Sequence, residues 1–278
     1  MIDKVVAVYF SPTGSTGRVV GEIARVMAEE LGLPLQTFDF TLLDSRKDTI
    51  HFQSSDIVVF GTPVYAGRVP NKILPEIQRI FVGNDALAVP VVTFGNRSYD
   101  NALIELRNEL EQLGCHTFAA GAFVAEHAFS DKLAPGRPDE DDICMIRRFA
   151  KEAADQVAGL EGIPEPVDLK GIEPIPPYYK PLGIDGRPAV FLKAKPKITE
   201  DCIKCWKCLQ ACPIGSITKE EGWKVEGICI KCQACVKVCP VDAIYFDDPA
   251  FLSHVAMLEE NYKRRAENEI FGGMSKRP

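Results

Sequence analysis

Eight cysteines packed between positions 202 and 239 constrain this chain more than anything else in it. They stand as Cys202-Ile-Lys-Cys205-Trp-Lys-Cys208-Leu-Gln-Ala-Cys212-Pro213, and again as Cys229-Ile-Lys-Cys232-Gln-Ala-Cys235-Val-Lys-Val-Cys239-Pro240. Each run has the spacing C-x₂-C-x₂-C-x₃-C-P, which suits cubane [4Fe–4S] centres. Three thiolates on one tight loop reach three irons of a cube. The fourth, carried away on a short helical turn, ligates the other cube. By that rule Cys202, Cys205, Cys208 and Cys239 hold one cluster, and Cys229, Cys232, Cys235 and Cys212 the second. Ile217 and Ile244 each follow the last cysteine of a run by five residues, so the repeat extends to packing. Zinc motifs separate their cysteine pairs by a long gap, and disulfide frameworks belong to short secreted chains. Neither pattern is present.

The rest of the chain supplies a larger domain. At 278 residues there is room for one ordinary domain and a small one. Hydrophobic residues make up 46% and charged residues 26%, a globular composition. No apolar run approaches the roughly eighteen residues of a membrane span. The short apolar start follows an acid and has no small-residue cleavage site, so it reads as a first buried strand and not as a leader. Ten cysteines without an export signal point to a reducing cytoplasm. The net charge of −7 falls wholly within residues 1–160. A basic nucleic-acid footprint is absent.

From the start, apolar strands alternate with helix-like segments. Residues 4–10, 35–40, 56–60, 88–94 and 116–125 read as strands. Residues 16–31, 71–81 and 100–113, and a stretch from Pro138 to about 158, read as helices. That alternation predicts an α/β fold, a doubly wound five-stranded parallel sheet in the order 2-1-3-4-5, followed by a small α+β two-cluster domain. The expected units are residues 1–160, a proline-rich connection at 161–196, the cluster domain at 197–248, and a C-terminal helix and tail at 249–278. Eight of the twenty prolines lie between 161 and 198, so the connection is extended, and its apolar residues lay it against a surface. Phe251, Val255, Leu258 and Tyr262 form one helical stripe, packed on a domain or on a second copy of the chain. Residues 272–278 are expected to be loose.

Ligands of doubly wound sheets bind at the carboxyl ends of the strands. The first loop there, Ser11-Pro-Thr13-Gly14-Ser15-Thr16, puts hydroxyls and amides at a helix N-terminus, a cradle suited to a monophosphate. Ser-x-Thr-Gly-x-Thr at this place resembles the FMN phosphate loop of flavodoxins. The second loop, Gly61-Thr62-Pro63-Val64-Tyr65-Ala66-Gly67-Arg68-Val69-Pro70, and the third, Phe94-Gly95-Asn96-Arg97-Ser98-Tyr99-Asp100, resemble the two that bracket the isoalloxazine. With the cysteine runs, nearly the whole chain is similar to flavodoxin–ferredoxin fusion proteins of anaerobic bacteria and archaea.

That resemblance implies FMN in the first domain, two [4Fe–4S] clusters in the second, and a redox partner, a ferredoxin or a low-potential oxidoreductase. Two departures stand out. Trp206 and Gln233 occupy places where ferredoxins often have glycine, and Tyr65 and Tyr99 are the only aromatics of the two ring loops, leaving open which one stacks. Arg97 is expected beside the ring, raising its potential. Arg68 divides evenly between that role and an ion pair. His127 follows strand five on the ligand side, facing a cofactor or held structurally. His51, His116 and His254 read as structural, and Cys115 and Cys144 as inert thiols. Lys204, Lys207, Lys231 and Lys237 within the runs are solvated, guide a partner or offset cluster charge.

Two functions lead from sequence, and a third, a structural or regulatory redox sensor, needs less than two clusters and a flavin. One is an electron carrier between the clusters, FMN and a partner. The other is an FMN-dependent reductase of a small substrate fed by ferredoxin, for which residues 128–138 are long enough to form a pocket wall. No nicotinamide motif is present.

Overall fold

A computed structural model of the chain describes residues 2–220 and 222–272. The end expected to be loose lies outside these residues except for Gly272.

Val5, Val6, Ala7 and Val8 are all buried, so β1 (Lys4–Tyr9) has no solvent face. β3 (Asp56–Pro63) and β4 (Leu87–Phe94) are the same kind of run. Strands apolar on both sides need covering on both sides, which is the condition for a parallel sheet with helices above and below. With β2 (Leu35–Asp39) and β5 (Ala120–Val124) the parallel strands run in the order 2-1-3-4-5. This is the flavodoxin-like arrangement. α1 (Ser15–Leu31) and α4 (Glu140–Ala158) cover one face through Val20, Ile23, Met27, Ile146, Phe149 and Ala153. α2 (Leu74–Ile80) and α3 (Ala102–Gln112) cover the other through Ile77, Ile80, Leu103, Leu106 and Leu110.

Three details differ from the sequence expectation. The fifth strand is broken: His116 and Thr117 pair with Leu87 and Ala88, whereas Gly121 pairs with Val91. One extra residue on that strand makes a bulge, and the run resumes at Ala120. The helix expected from 71 begins only at Leu74, with a proline in its first turn. Third, the sheet has a further strand. β10 (Glu269–Phe271), from beyond the cysteine runs, lies antiparallel on β5, Ile270 opposite Gly121. It covers an edge that would otherwise be open.

The cysteine half is built twice over. β6 (Lys197–Ile198) pairs antiparallel with β9 (Ile244–Tyr245), and β7 (Ile217–Thr218) with β8 (Lys224–Val225). Single-turn helices α5 (Lys207–Gln210) and α6 (Ala234–Lys237) carry cysteines between them. Ile217 and Ile244 are buried together with Cys208. Then α7 (Pro249–Asn261) starts at Asp248, whose side chain accepts from the Phe251 amide at 2.9 Å. Its buried residues are Phe251, His254, Met257 and Leu258, and Val255 is only half-buried. The stripe packs within the chain: Phe251 against Phe129, Phe191 and Phe246, Leu258 against Leu133. Residues 161–196 form no helix or extended strand. They are held by backbone and tyrosine bonds, Tyr179 N–H to Ala66 O at 2.9 Å and the Tyr178 hydroxyl to Val69 O at 2.9 Å. Tyr178, Tyr179 and Phe191 lie against the body, but Ile172 and Val190 are exposed. No helix among the described residues is long and apolar enough to cross a membrane.

Candidate functional site

A chamber of about 520 Å³ opens at the carboxyl ends of the parallel strands. Loops after β1, β3, β4 and β5 form its floor, and its roof comes from residues 178–192, α7 and the cysteine loop at 228–231.

In the first loop, Thr13, Ser15 and Thr16 line the chamber, but Ser11 and Gly14 do not. The Ser11 hydroxyl is used internally, accepting from the Gly17 amide at 2.9 Å. The Thr16 hydroxyl is buried on that of Thr93 at 2.6 Å. Gly14 sits at the N-cap of α1 with φ 87°, a left-handed conformation that favours glycine, and has no side chain with which to cap the helix. The Ser11 hydroxyl takes the first-turn amide of Gly17, which leaves those of Ser15 and Thr16 for the chamber, beside the hydroxyls of Thr13 and Ser15.

From the second loop, Pro63, Val64, Tyr65, Ala66 and Gly67 line the chamber. Thr62 does not, and its buried hydroxyl has no partner among the described residues. From the third, Gly95 and Arg97 line it. A Cβ on Gly95 would come within 2.5 Å of the His127 ring, so only glycine lets the two loops close together. Arg97 pairs with Asp100 and stacks over Tyr179, 4.2 Å from the ring centroid. Asn96 and Tyr99 belong elsewhere. The Asn96 carboxamide is bonded to backbone at residues 262–266. Tyr99 packs on Phe94, and burial, with the Glu269 carboxylate adding to it, raises its pKa. Of the two tyrosines, Tyr65 reaches the chamber. Arg68 is outside it, in a two-pronged ion pair with Glu105.

His127 lines the chamber, and its Nδ1 accepts from the Phe129 amide at 3.1 Å, which leaves the proton of the neutral ring on Nε2. Burial pulls its pKa down to about 4, with His254 and Arg97 adding to the effect. His254, read as structural from sequence, is also in the wall. Its Nδ1 donates to Leu182 O at 2.8 Å, so Nε2 of the neutral ring is an acceptor. Burial lowers its pKa too. The loop at 128–138 is pinned: Ser130 and Lys132 bond Glu259 of α7 at 2.7 and 2.9 Å.

The eight cysteines fall into two hollows. Cys202, Cys205, Cys208 and Cys239 line one, and Cys212, Cys229, Cys232 and Cys235 the other. Each set takes three residues from one run and one from the other. The amides of Ser216 and Ala243 donate to Cys212 and Cys239 Sγ, both at 3.3 Å, at matching places in the repeat. The indole N–H of Trp223 donates to Cys208 Sγ at 3.3 Å. Trp206 and Gln233 have φ of 60° and 66°, which is the physical reason glycine is favoured there. Burial pushes the Cys232 thiol up to about 12 and raises Cys229 and Cys235 as well. Such groups become thiolates only beside positive charge, which irons supply. The donor set fits that kind of centre.

Cys229 and Lys231 line both the chamber and the second hollow. Tyr65 lies near this seam: burial raises its pKa, and Cys232 and Cys229 raise it further. Lys237 bridges to Glu126 across the same interface. Sequence reasoning missed Tyr178, Tyr179, Phe191 and His254 as chamber residues. Only His254 carried a signal, falling three residues after Phe251 and four before Leu258 on the buried stripe.

Residues 201–243 match the family model described as a 4Fe-4S dicluster domain. No curated protein matches the sequence. Solved structures are similar over the first half. A flavodoxin from the domain Archaea has 15% identity and a TM-score of 0.40, covering 56% of this chain and 99% of that one. The Streptococcus pneumonia TIGR4 flavodoxin has 19% identity and a TM-score of 0.38, covering 55% and 98%. A short-chain flavodoxin associated with a bacterial microcompartment has 18% identity and a TM-score of 0.39, covering 57% and 99%. The strand order, and not these scores, carries the flavodoxin-like assignment.

Proposed function

We propose that this chain, which joins a flavodoxin-like domain to a 4Fe-4S dicluster domain, moves electrons between two [4Fe–4S] clusters and an FMN in the chamber, and on to a redox partner protein. The observation that carries this reading is the shared wall. Cys229 and Lys231 border both the chamber and a four-cysteine hollow, so the two sites adjoin.

The residues suit the cofactor. The hydroxyls of Thr13 and Ser15 and the amides of Ser15 and Thr16 would take a monophosphate without needing a cation. Tyr65 and the Gly95 loop would flank the ring, with Arg97 at hand. Phe129 and Phe191 make part of the chamber lining apolar. FMN there supplies transfer of electrons singly or in pairs, which joins a one-electron carrier to a two-electron acceptor.

A second reading, a reductase of a small substrate, is favoured by the two neutral histidines, His127 and His254, in the chamber wall. The test of both is anaerobic purification with FMN, iron and acid-labile sulfide analysis, then stopped-flow mixing with reduced ferredoxin and candidate acceptors. Fast reduction of the flavin with no turnover of small acceptors supports the carrier. Repeated turnover of one compound supports the reductase. A preparation without labile sulfide, or one that does not bind FMN, overturns both.

A further inference from the structure

The two cysteine runs open with one tetrapeptide, Cys202-Ile-Lys204-Cys205 and Cys229-Ile-Lys231-Cys232. Both lysines have positive φ, 55° and 56°, so their backbones are also alike. Their side chains live in different places. Lys204 is exposed and borders the hollow of Cys202, Cys205, Cys208 and Cys239, not the chamber. Lys231 is buried, and it borders both the chamber and the hollow of Cys212, Cys229, Cys232 and Cys235.

Its Nζ donates to Leu192 O at 2.6 Å and to Cys229 O at 3.0 Å. An ammonium has three N–H donors, so one is left beyond these two carbonyls. Among the described residues no carboxylate forms an ion pair with it. Burial disfavours the charged form of a lysine, and the Cys229 and Asp248 side chains oppose that effect here; as an ammonium it favours any neighbour that gains an electron.

We propose that Lys231 is the electrostatic link across which the cluster of Cys212, Cys229, Cys232 and Cys235 exchanges electrons with the FMN, its charge stabilising the reduced form of both. This rests on the cofactor reading above. In the step one electron leaves the cluster and one enters the flavin, no covalent bond forms or breaks, and Lys231 keeps its protons. The cluster of Cys202, Cys205, Cys208 and Cys239 is then the outer relay, with Cys205 exposed on its loop.

The test compares the full chain with Lys231→Met, Lys231→Gln, Lys231→Arg and Lys204→Met, each analysed first for FMN, iron and sulfide. Midpoints are read by anaerobic titration, the flavin by absorbance and the clusters by electron paramagnetic resonance. Flavin reduction by dithionite is timed by stopped flow. Lys231→Met and Lys231→Gln lower the flavin midpoint and slow its reduction, Lys231→Arg restores both, and Lys204→Met leaves the flavin unmoved. A flavin midpoint unchanged in Lys231→Met, or shifted equally by Lys204→Met, overturns the proposal. If Met and Gln variants both lose cofactor while Arg keeps it with altered midpoints, the role is structural and the proposal also fails. An unaltered chain lacking FMN or sulfide defeats the cofactor reading instead, before any variant is compared.

Discussion

The Asn96 side chain donates from Nδ2 to the carbonyl oxygen of Tyr262 at 2.6 Å, tying the third chamber loop to the end of α7. The same carboxamide donates to Arg264 O at 2.6 Å and accepts from the Ala266 amide at 3.1 Å. Arg264 returns a bond to Asn96 O at 3.2 Å. From there the chain runs on to the strand that lies against β5. One buried amide therefore fastens the C-terminal segment to the loop that closes the chamber.

Asn96→Ala removes three of these bonds and leaves buried backbone groups unpaired. The expected cost is about 2–4 kcal/mol, seen as a fall of several degrees in Tm. Thermal unfolding followed by circular dichroism checks this. A Tm within one degree of the unaltered protein would show that the clasp adds nothing.

Gly95→Ala places a methyl group where the His127 ring now lies, 2.5 Å away. Either the loop or the imidazole must move, and both line the chamber. FMN affinity should fall at least about tenfold, which is roughly 1.4 kcal/mol, with iron content unchanged. A fluorescence titration of the apoprotein measures it, and an unaltered Kd would contradict the packing argument.

Arg97 and Asp100 form an ion pair at the chamber edge, with Arg97 stacked on Tyr179. Removing the cation disfavours a reduced, anionic flavin, and removing the carboxylate does the reverse. Arg97→Gln is expected to lower the flavin midpoint and Asp100→Asn to raise it, in a spectroelectrochemical titration. Shifts of the same sign would rule out a simple charge effect.

His127 is held neutral by burial, with its pKa lowered to about 4. The unfolded chain takes up that proton near 6.5. Between these values only the unfolded state is protonated, so stability is full above 6.5 and falls as pH drops toward 4. Going from pH 7 to pH 5 should cost up to about 2 kcal/mol through this group. His127→Gln should show that much less acid sensitivity in urea unfolding, cluster lability being common to both proteins. Equal slopes would place the titration elsewhere.

Much of the site was legible because it is local. Cysteine spacing sets how far thiolates can reach, and Ser-x-Thr-Gly-x-Thr at a strand end dictates a helix N-terminus whatever lies beyond. The same holds for the apolar runs at residues 4–10 and 88–94, which have no polar face to expose. Asn96 and Tyr99 looked like ring contacts by position in their loop. They turned out to serve the C-terminal segment, because a three-residue strand with no alternation, Glu269–Phe271, leaves no pattern to read. Tyr178, Tyr179 and Phe191 were legible only as apolar residues in a proline-rich stretch, since nothing local says what an extended segment will lie on.

The sequence by itself determined the spacing of the thiols, the strand-to-helix turn at residues 11–16, and which strands need cover on both faces. Those are matters of reach and solvation within a few residues. It left the two copies of Cys-Ile-Lys-Cys equivalent. Only the tertiary structure separated them, by burying Lys231 against the chamber and leaving Lys204 in water. The reason is physical. Which face of a symmetric unit meets its neighbour is decided by contacts between distant segments, here α7, residues 178–192 and the C-terminal strand, and no local spacing encodes it.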